Sequence, residues 1–135
     1  MQFAVPRRGL PSARSIRAWA RAAWKDAAEV TVRIVGAAEG RRLNRTFRSI
    51  DRPTNVLSFT YGSRQGDVVL CHPVVAREAR AQGKALSAHY AHLVIHGMLH
   101  LRGLGHDTPA QAARMERLET RLLASFGVAD PYTLQ

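Results

Sequence analysis

Apolar positions along the chain recur with two periods, and the switches between them mark out the elements. Ser12 can cap a helix in which Ile16, Trp19, Ala20, Ala23 and Trp24 fall on one face. Val30, Val32 and Ile34 then alternate with Thr31, Arg33 and Val35, the pattern of a strand over Glu29–Val35 with one face buried. A second helix is predicted over Ala37–Arg48, where Leu43 and Phe47 stand four apart; Asp51-Arg52-Pro53 ends it, since a residue before proline avoids the helical region. Val56–Tyr61 is expected to be a strand, and Gly66-Asp67 a turn into another over Val68–Cys71. Pro73 opens a helix through Gln82, stopped by Gly83. Ser87 or Ala88 to Arg102 forms the next, stopped by Gly103, and Thr108-Pro109 starts a last helix that reaches Phe126 before Gly127. Gln2–Val5 is a short edge strand, and the tail Val128–Gln135 is expected to be loosely held. The order β-α-β-α-β-β followed by three helices predicts an α+β fold. One domain spans residues 1–135, a small mixed sheet of about four strands packed with about five helices.

Composition narrows the class. Of 135 residues, 46% are hydrophobic and 22% charged, ordinary for a globular protein and unlike a disordered one. There is no run near the ~20 apolar residues of a membrane span, no signal-like segment and no repeat. Cys71 is the sole cysteine, so no internal disulfide can form and a reducing, cytoplasmic setting is expected. The charge changes the picture more. Twenty Lys plus Arg against ten Asp plus Glu give +10, an excess that attracts polyanions such as nucleic acid. Lys25 and Lys84 are the only lysines, so part of the excess reflects an Arg-rich composition.

The informative segment is His96-Gly97-Met98-Leu99-His100-Leu101-Arg102-Gly103-Leu104-Gly105-His106. Histidines at i and i+4 lie one above the other on a helix, so both imidazoles can reach one ion. Gly103 can take the left-handed conformation that ends the helix, letting His106 approach from the side. Leu99, Leu101 and Leu104 would anchor that turn. Three neutral nitrogens favour zinc over magnesium, and three protein ligands leave the open position of a catalytic site. His89 and His92 lie upstream on nearly the same stripe and are expected to pack or to support the ligands. The spacing matches the zinc proteases with H-E-x-x-H-x-x-G-x-x-H, but Gly97 stands where their general-base Glu would be, which disfavours peptide hydrolysis.

The run His96-Gly97-x-Leu99-His100-Leu101-x-Gly103-x-x-His106 resembles the signature of the YbeY-type endoribonucleases, the bacterial rRNA maturation factors. Leu43-Asn44-x-x-Phe47-Arg48, Arg52-Pro53-Thr54-Asn55-Val56-Leu57-Ser58-Phe59, Gly66-Asp67-Val68-Val69 and the closing Met115-x-x-Leu118-Glu119 with Gly127 agree in the same order, over about residues 29–133. The resemblance implies a zinc-dependent single-strand endoribonuclease that matures the small-subunit rRNA 3′ end and takes part in ribosome quality control. His96, His100 and His106 would be its ligands and Arg48 a catalytic arginine. It implies ribosomal RNA, the small ribosomal subunit and assembly factors as partners. Gly105 departs from the family pattern, in which an Asp precedes the third His; here Asp107 follows it.

Zinc and Arg48 together would stabilise charge on the phosphorane, since a guanidinium holds two phosphate oxygens at once. Arg41, Arg45 and Arg52, with Arg42 and Arg64, are candidate phosphate contacts. Thr54, Asn55 and Ser58 are expected to serve the strand, and Cys71 and His72 to pack. Two other classes remain: an RNA-binding assembly factor with a structural zinc, and a zinc peptidase-like hydrolase.

Overall fold

A computed structural model describes residues 1–132 of the chain. Its elements follow the predicted order: β1 (Gln2–Phe3), α1 (Ala13–Ala23), β2 (Glu29–Val35), α2 (Ala37–Arg48), β3 (Val56–Gly62), β4 (Gln65–Cys71), α3 (His72–Ala81), α4 (Leu86–Leu101) and α5 (Pro109–Ser125). The four strands form one mixed sheet in the order β1-β2-β4-β3. β1 and β4 run parallel to β2, and β3 runs antiparallel to β4, leaving β3 on an edge. This is the α+β class that the alternating pattern predicts. None of the helices among the described residues is long and apolar enough to cross a membrane.

The side-chain alternation sorts the sheet into two faces. Val32, Ile34, Val68 and Leu70 point into the main core with Ile16, Trp19, Tyr90, Val94, Ile95, Met98 and Leu99. Val35, Leu57, Val69 and Cys71 point the other way, where Leu43 and Phe59 join them. α4 lies on the first face and is buried on most sides, with ten of its sixteen residues buried; apolar residues surround most of it, and His92, His96 and His100 mark the half-buried side. Its seat on the sheet is close. A Cβ on Gly97 would lie 2.8 Å from Val68 Cγ1 and 3.3 Å from Val56 Cγ2. α2 approaches the opposite face in the same way, through Gly40, whose added Cβ would come within 2.8 Å of Cys71 Sγ.

Local signals behave as their chemistry dictates. Ser12 Oγ accepts from Ser15 N at 3.1 Å, and Thr108 with Gln111 forms a reciprocal capping box at α5. Two expectations fail. Gly66-Asp67 is not a turn: both residues sit inside β4, opposite Val30 and Thr31, and the chain reverses between Gly62 and Gln65, with Arg64 at φ 61°. Gly66 is glycine because a Cβ there would run into the Phe59 backbone oxygen on the paired strand, with Leu101 Cδ2 next at 2.8 Å. The tail is also held as far as it is described. Val128 packs on the core and Tyr132 bonds to α5, while residues 133–135 lie outside the described residues.

Candidate metal centre

α4 delivers His96 and His100 on successive turns at the end nearest β3. The helix then stops through paired hydrogen bonds, Gly103 N–H to His100 O at 3.0 Å and Leu104 N–H to Leu99 O at 3.0 Å, with Gly103 at φ 107°. This left-handed stop sends the chain back beside the helix. His106 then stands with its ring centroid 4.9 Å from that of His100 and 6.0 Å from that of His96. Leu99 and Leu101 are buried and Leu104 half-buried beneath the turn, as expected. One nitrogen from each of the three imidazoles lies within 4.8 Å of the others.

The donor set fits a metal. His96 Nδ1 is 2.8 Å from Glu119 Oε1, so Nδ1–H donates and the Nε2 lone pair faces the cluster. His100 Nε2 is 3.1 Å from His96 Nε2, close to the ~3.3 Å that separates two nitrogens bound at 2.0–2.1 Å to one tetrahedral ion. Burial pushes the His100 imidazole below its ordinary pKa, and charge on His96, His106 and Arg48 acts in the same direction, so the ring stays neutral and free to donate a lone pair.

Glu119 was not singled out as a site residue from the sequence. It is wholly buried, and each oxygen is engaged: Oε1 by His96, Oε2 by His92 Nε2 at 2.8 Å and by the Tyr132 hydroxyl at 2.5 Å. Burial alone would raise its pKa; the bonds from His92, His96 and Tyr132 outweigh that and hold the carboxyl at about 2. The available signal was its position on α5, where Met115, Glu119 and Leu123 share a buried stripe four residues apart. An acid on such a stripe demands partners. His92 thus supports the cluster, and His89 packs, buried, with Nε2 3.0 Å from Glu78 Oε1.

The cluster floors an open cavity of about 510 Å³ whose wall carries Arg48, Arg52, Ile50, Thr54 and Ser58. Arg48 and Arg52 have no ion-pair partner among the described residues. Buried Asn44 fixes the Arg52 backbone through Nδ2 to its carbonyl at 2.7 Å. Arg41 and Arg45 do not line the cavity: Arg41 forks onto Asp51 at 2.8 and 2.9 Å, and Arg45 Nη1 lies 3.9 Å from the same carboxylate. Arg42 and Arg64 also stand outside the wall. Asn55 and Ser58 are engaged in the scaffold, Asn55 Oδ1 accepting from Val56 N–H at 2.6 Å and Ser58 Oγ donating to Gly97 O at 3.2 Å. Cys71 is buried and His72 Nδ1 pairs with the Tyr90 hydroxyl at 2.7 Å. At Gly105 a Cβ would meet Asp107 Oδ2 at 3.9 Å, so the acid after the third histidine borders the space a longer side chain at 105 would take.

Known proteins share this sequence and fold. The family model described as Endoribonuclease YbeY matches residues 13–127. The Endoribonuclease YbeY of Aromatoleum aromaticum is 58% identical over 125 residues, covering 90% of this chain and 81% of that protein. That of Nitrosomonas eutropha is 46% identical over 138 residues, covering 100% and 98%. The solution structure of TM1509 from Thermotoga maritima shares the fold, with a TM-score of 0.57 at 21% identity over 98% of both chains. With a family model spanning most of the chain and relatives this similar along nearly its full length, the chain belongs to the Endoribonuclease YbeY family.

Proposed function

We propose that this protein is a zinc-dependent endoribonuclease that hydrolyses phosphodiester bonds of single-stranded RNA in ribosomal RNA maturation. The observation that carries the reading is the convergence of His96, His100 and His106 at the floor of a cavity walled by two uncommitted arginines. Zinc held by His96, His100 and His106 would supply Lewis acidity and would lower the pKa of water towards ~7. The chain's own groups do the rest. Glu119 locks the His96 ring in the tautomer whose Nε2 is free. Burial keeps His100 neutral. Arg48, whose charge is felt at His100, grips two oxygens of the scissile phosphate and offsets the charge that builds as a fifth oxygen reaches phosphorus. Arg52 holds a neighbouring phosphate. Arg41 and Arg45, outside the wall, extend the positive surface that attracts the strand.

The same reading places residues 1–135 as one working domain in the cytoplasm, acting at the 3′ end of the small-subunit rRNA and in ribosome quality control. The small ribosomal subunit and assembly factors are its partners. A peptidase reading is weaker, because residue 97 has no room for a carboxylate side chain against Val68 and Val56. An RNA-binding assembly factor with a structural metal is the competing class.

The test is elemental analysis of protein purified without chelators, together with cleavage of labelled single-stranded and duplex RNA. About one zinc per chain is expected, with cleavage lost on chelation, restored by zinc, and abolished in a folded His100→Ala variant. Undiminished cleavage by that variant, or protein nearly free of transition metal, would sink the proposal. Ribosome assembly retained in cells by a cleavage-dead variant would favour the binding factor.

A further inference from the structure

The last turn of α2 carries a surface that phosphate chemistry alone does not use. Leu43 packs on the sheet and Asn44 and Arg48 line the cavity. Helical spacing places Phe47 between Leu43 and Asn44 on that turn. Phe47 is 60% exposed, and its ring is braced edge-on by Phe59 of the edge strand at 4.9 Å and 60°. Just beyond, Ser49 takes the left-handed conformation at φ 59°, and Ile50, 43% exposed, enters the cavity wall between Arg48 and Arg52. Ile50 thus lines the metal cavity between Arg48 and Arg52, while Phe47, next to Arg48 in the chain, stands exposed outside its lining. An aromatic ring braced along one edge and left open to water beside cavity-lining arginines calls for a flat apolar partner that carries negative charge close by.

The charge selects among occupants. A second copy of the chain would bring its own +10 towards Arg41, Arg42, Arg45, Arg48 and Arg52, of which only Arg41 is forked onto an acid. An unpaired nucleotide offers a π face for Phe47 and a phosphate for Arg48 within one residue of chain. We propose that Phe47, braced by Phe59 and flanked by Ile50, is a stacking platform for an unpaired RNA base next to the nucleotide whose phosphate lies at the histidine cluster. A base paired in a duplex cannot reach it, so the platform makes the site choose single strands. The inference rests on the cluster being the cleavage centre, although base stacking itself can be read without cleavage.

The experiment follows binding and cleavage separately. Fluorescence anisotropy with a labelled single-stranded RNA and metal-free protein measures binding, and metal-loaded protein measures cleavage. Phe47→Ala should bind at least roughly fivefold more weakly, with metal content unchanged, whereas Phe47→Trp should retain affinity. Should Phe47→Ala misfold, Phe47→Leu keeps the apolar contact with Phe59 and should still lose several-fold. Abasic substitutions along the RNA should reveal one position whose loss is not added to that of Phe47→Ala. Wild-type affinity in both the Ala and Leu variants, or additive losses at every position, would overturn the proposal. So would a Phe47 dependence confined to anionic phosphatidylglycerol vesicles or to self-association in sedimentation. If Phe47-dependent binding holds but no cleavage is found, the platform stands and the nuclease reading falls.

Discussion

The carboxylate of Glu119 has no exposed surface, yet three donors meet on it: His92 and His96 from α4 and Tyr132 from beyond α5. A buried charge satisfied this way orients what it touches. Glu119→Gln keeps the shape but loses the charge, and metal affinity should fall about 10–100-fold, read by competition with a chelating dye, with a changed visible spectrum of the cobalt-loaded protein. The same residue sets an acid limit. Its folded pKa of about 2 lies below the unfolded value near 4.5, so its contribution is complete above pH 4.5 and is lost as pH falls towards 2. At 1.36 kcal/mol per unit this is about 3 kcal/mol. Denaturant titrations of metal-free protein should show the wild type's advantage over Glu119→Gln shrinking between pH 5 and 2.5. A constant gap would count against the charge.

At the scale of elements, the end of α4 decides whether three histidines become one site. Gly103 at φ 107° is the conformational requirement there. Gly103→Ala should cost about 1–2 kcal/mol in thermal or denaturant unfolding and reduce bound metal, because the strain falls between the second and third ligands. This part was legible in the sequence, since His-x3-His and a helix-ending Gly are local signals with one geometric solution. Caps and periodicity gave the order of elements for the same reason. The errors have a common cause. Gly66 answers to the Phe59 carbonyl on the paired strand and to Leu101 on α4, and Glu119 answers to His92 and His96 on another helix. Contacts between distant positions leave only an anomaly in one sequence: a glycine inside a strand, an acid on a buried stripe. The tail follows suit as far as Tyr132, whose hydroxyl bonds to Glu119 on α5 while its N–H bonds locally to Asp130.

For the whole molecule the net +10 governs encounter with a polyanion. Binding of single-stranded RNA should weaken linearly in log–log salt plots, and Arg52→Ala should lower the slope by about 0.7 if its phosphate contact forms. An unchanged slope would remove Arg52 from the contact set. The sheet and α4 meet so closely at Gly97 that Gly97→Ala should already cost about 1–3 kcal/mol, measured by thermal unfolding of the metal-free protein. This tight seam also bears on how the scaffold could change trade. Supplying the acid that zinc proteases carry beside their first histidine would wedge the ligand helix off its bed before any proton could move. A route from cutting nucleic acid to cutting peptides in this architecture would have to begin in the strands beneath, with smaller residues at 68 and 56.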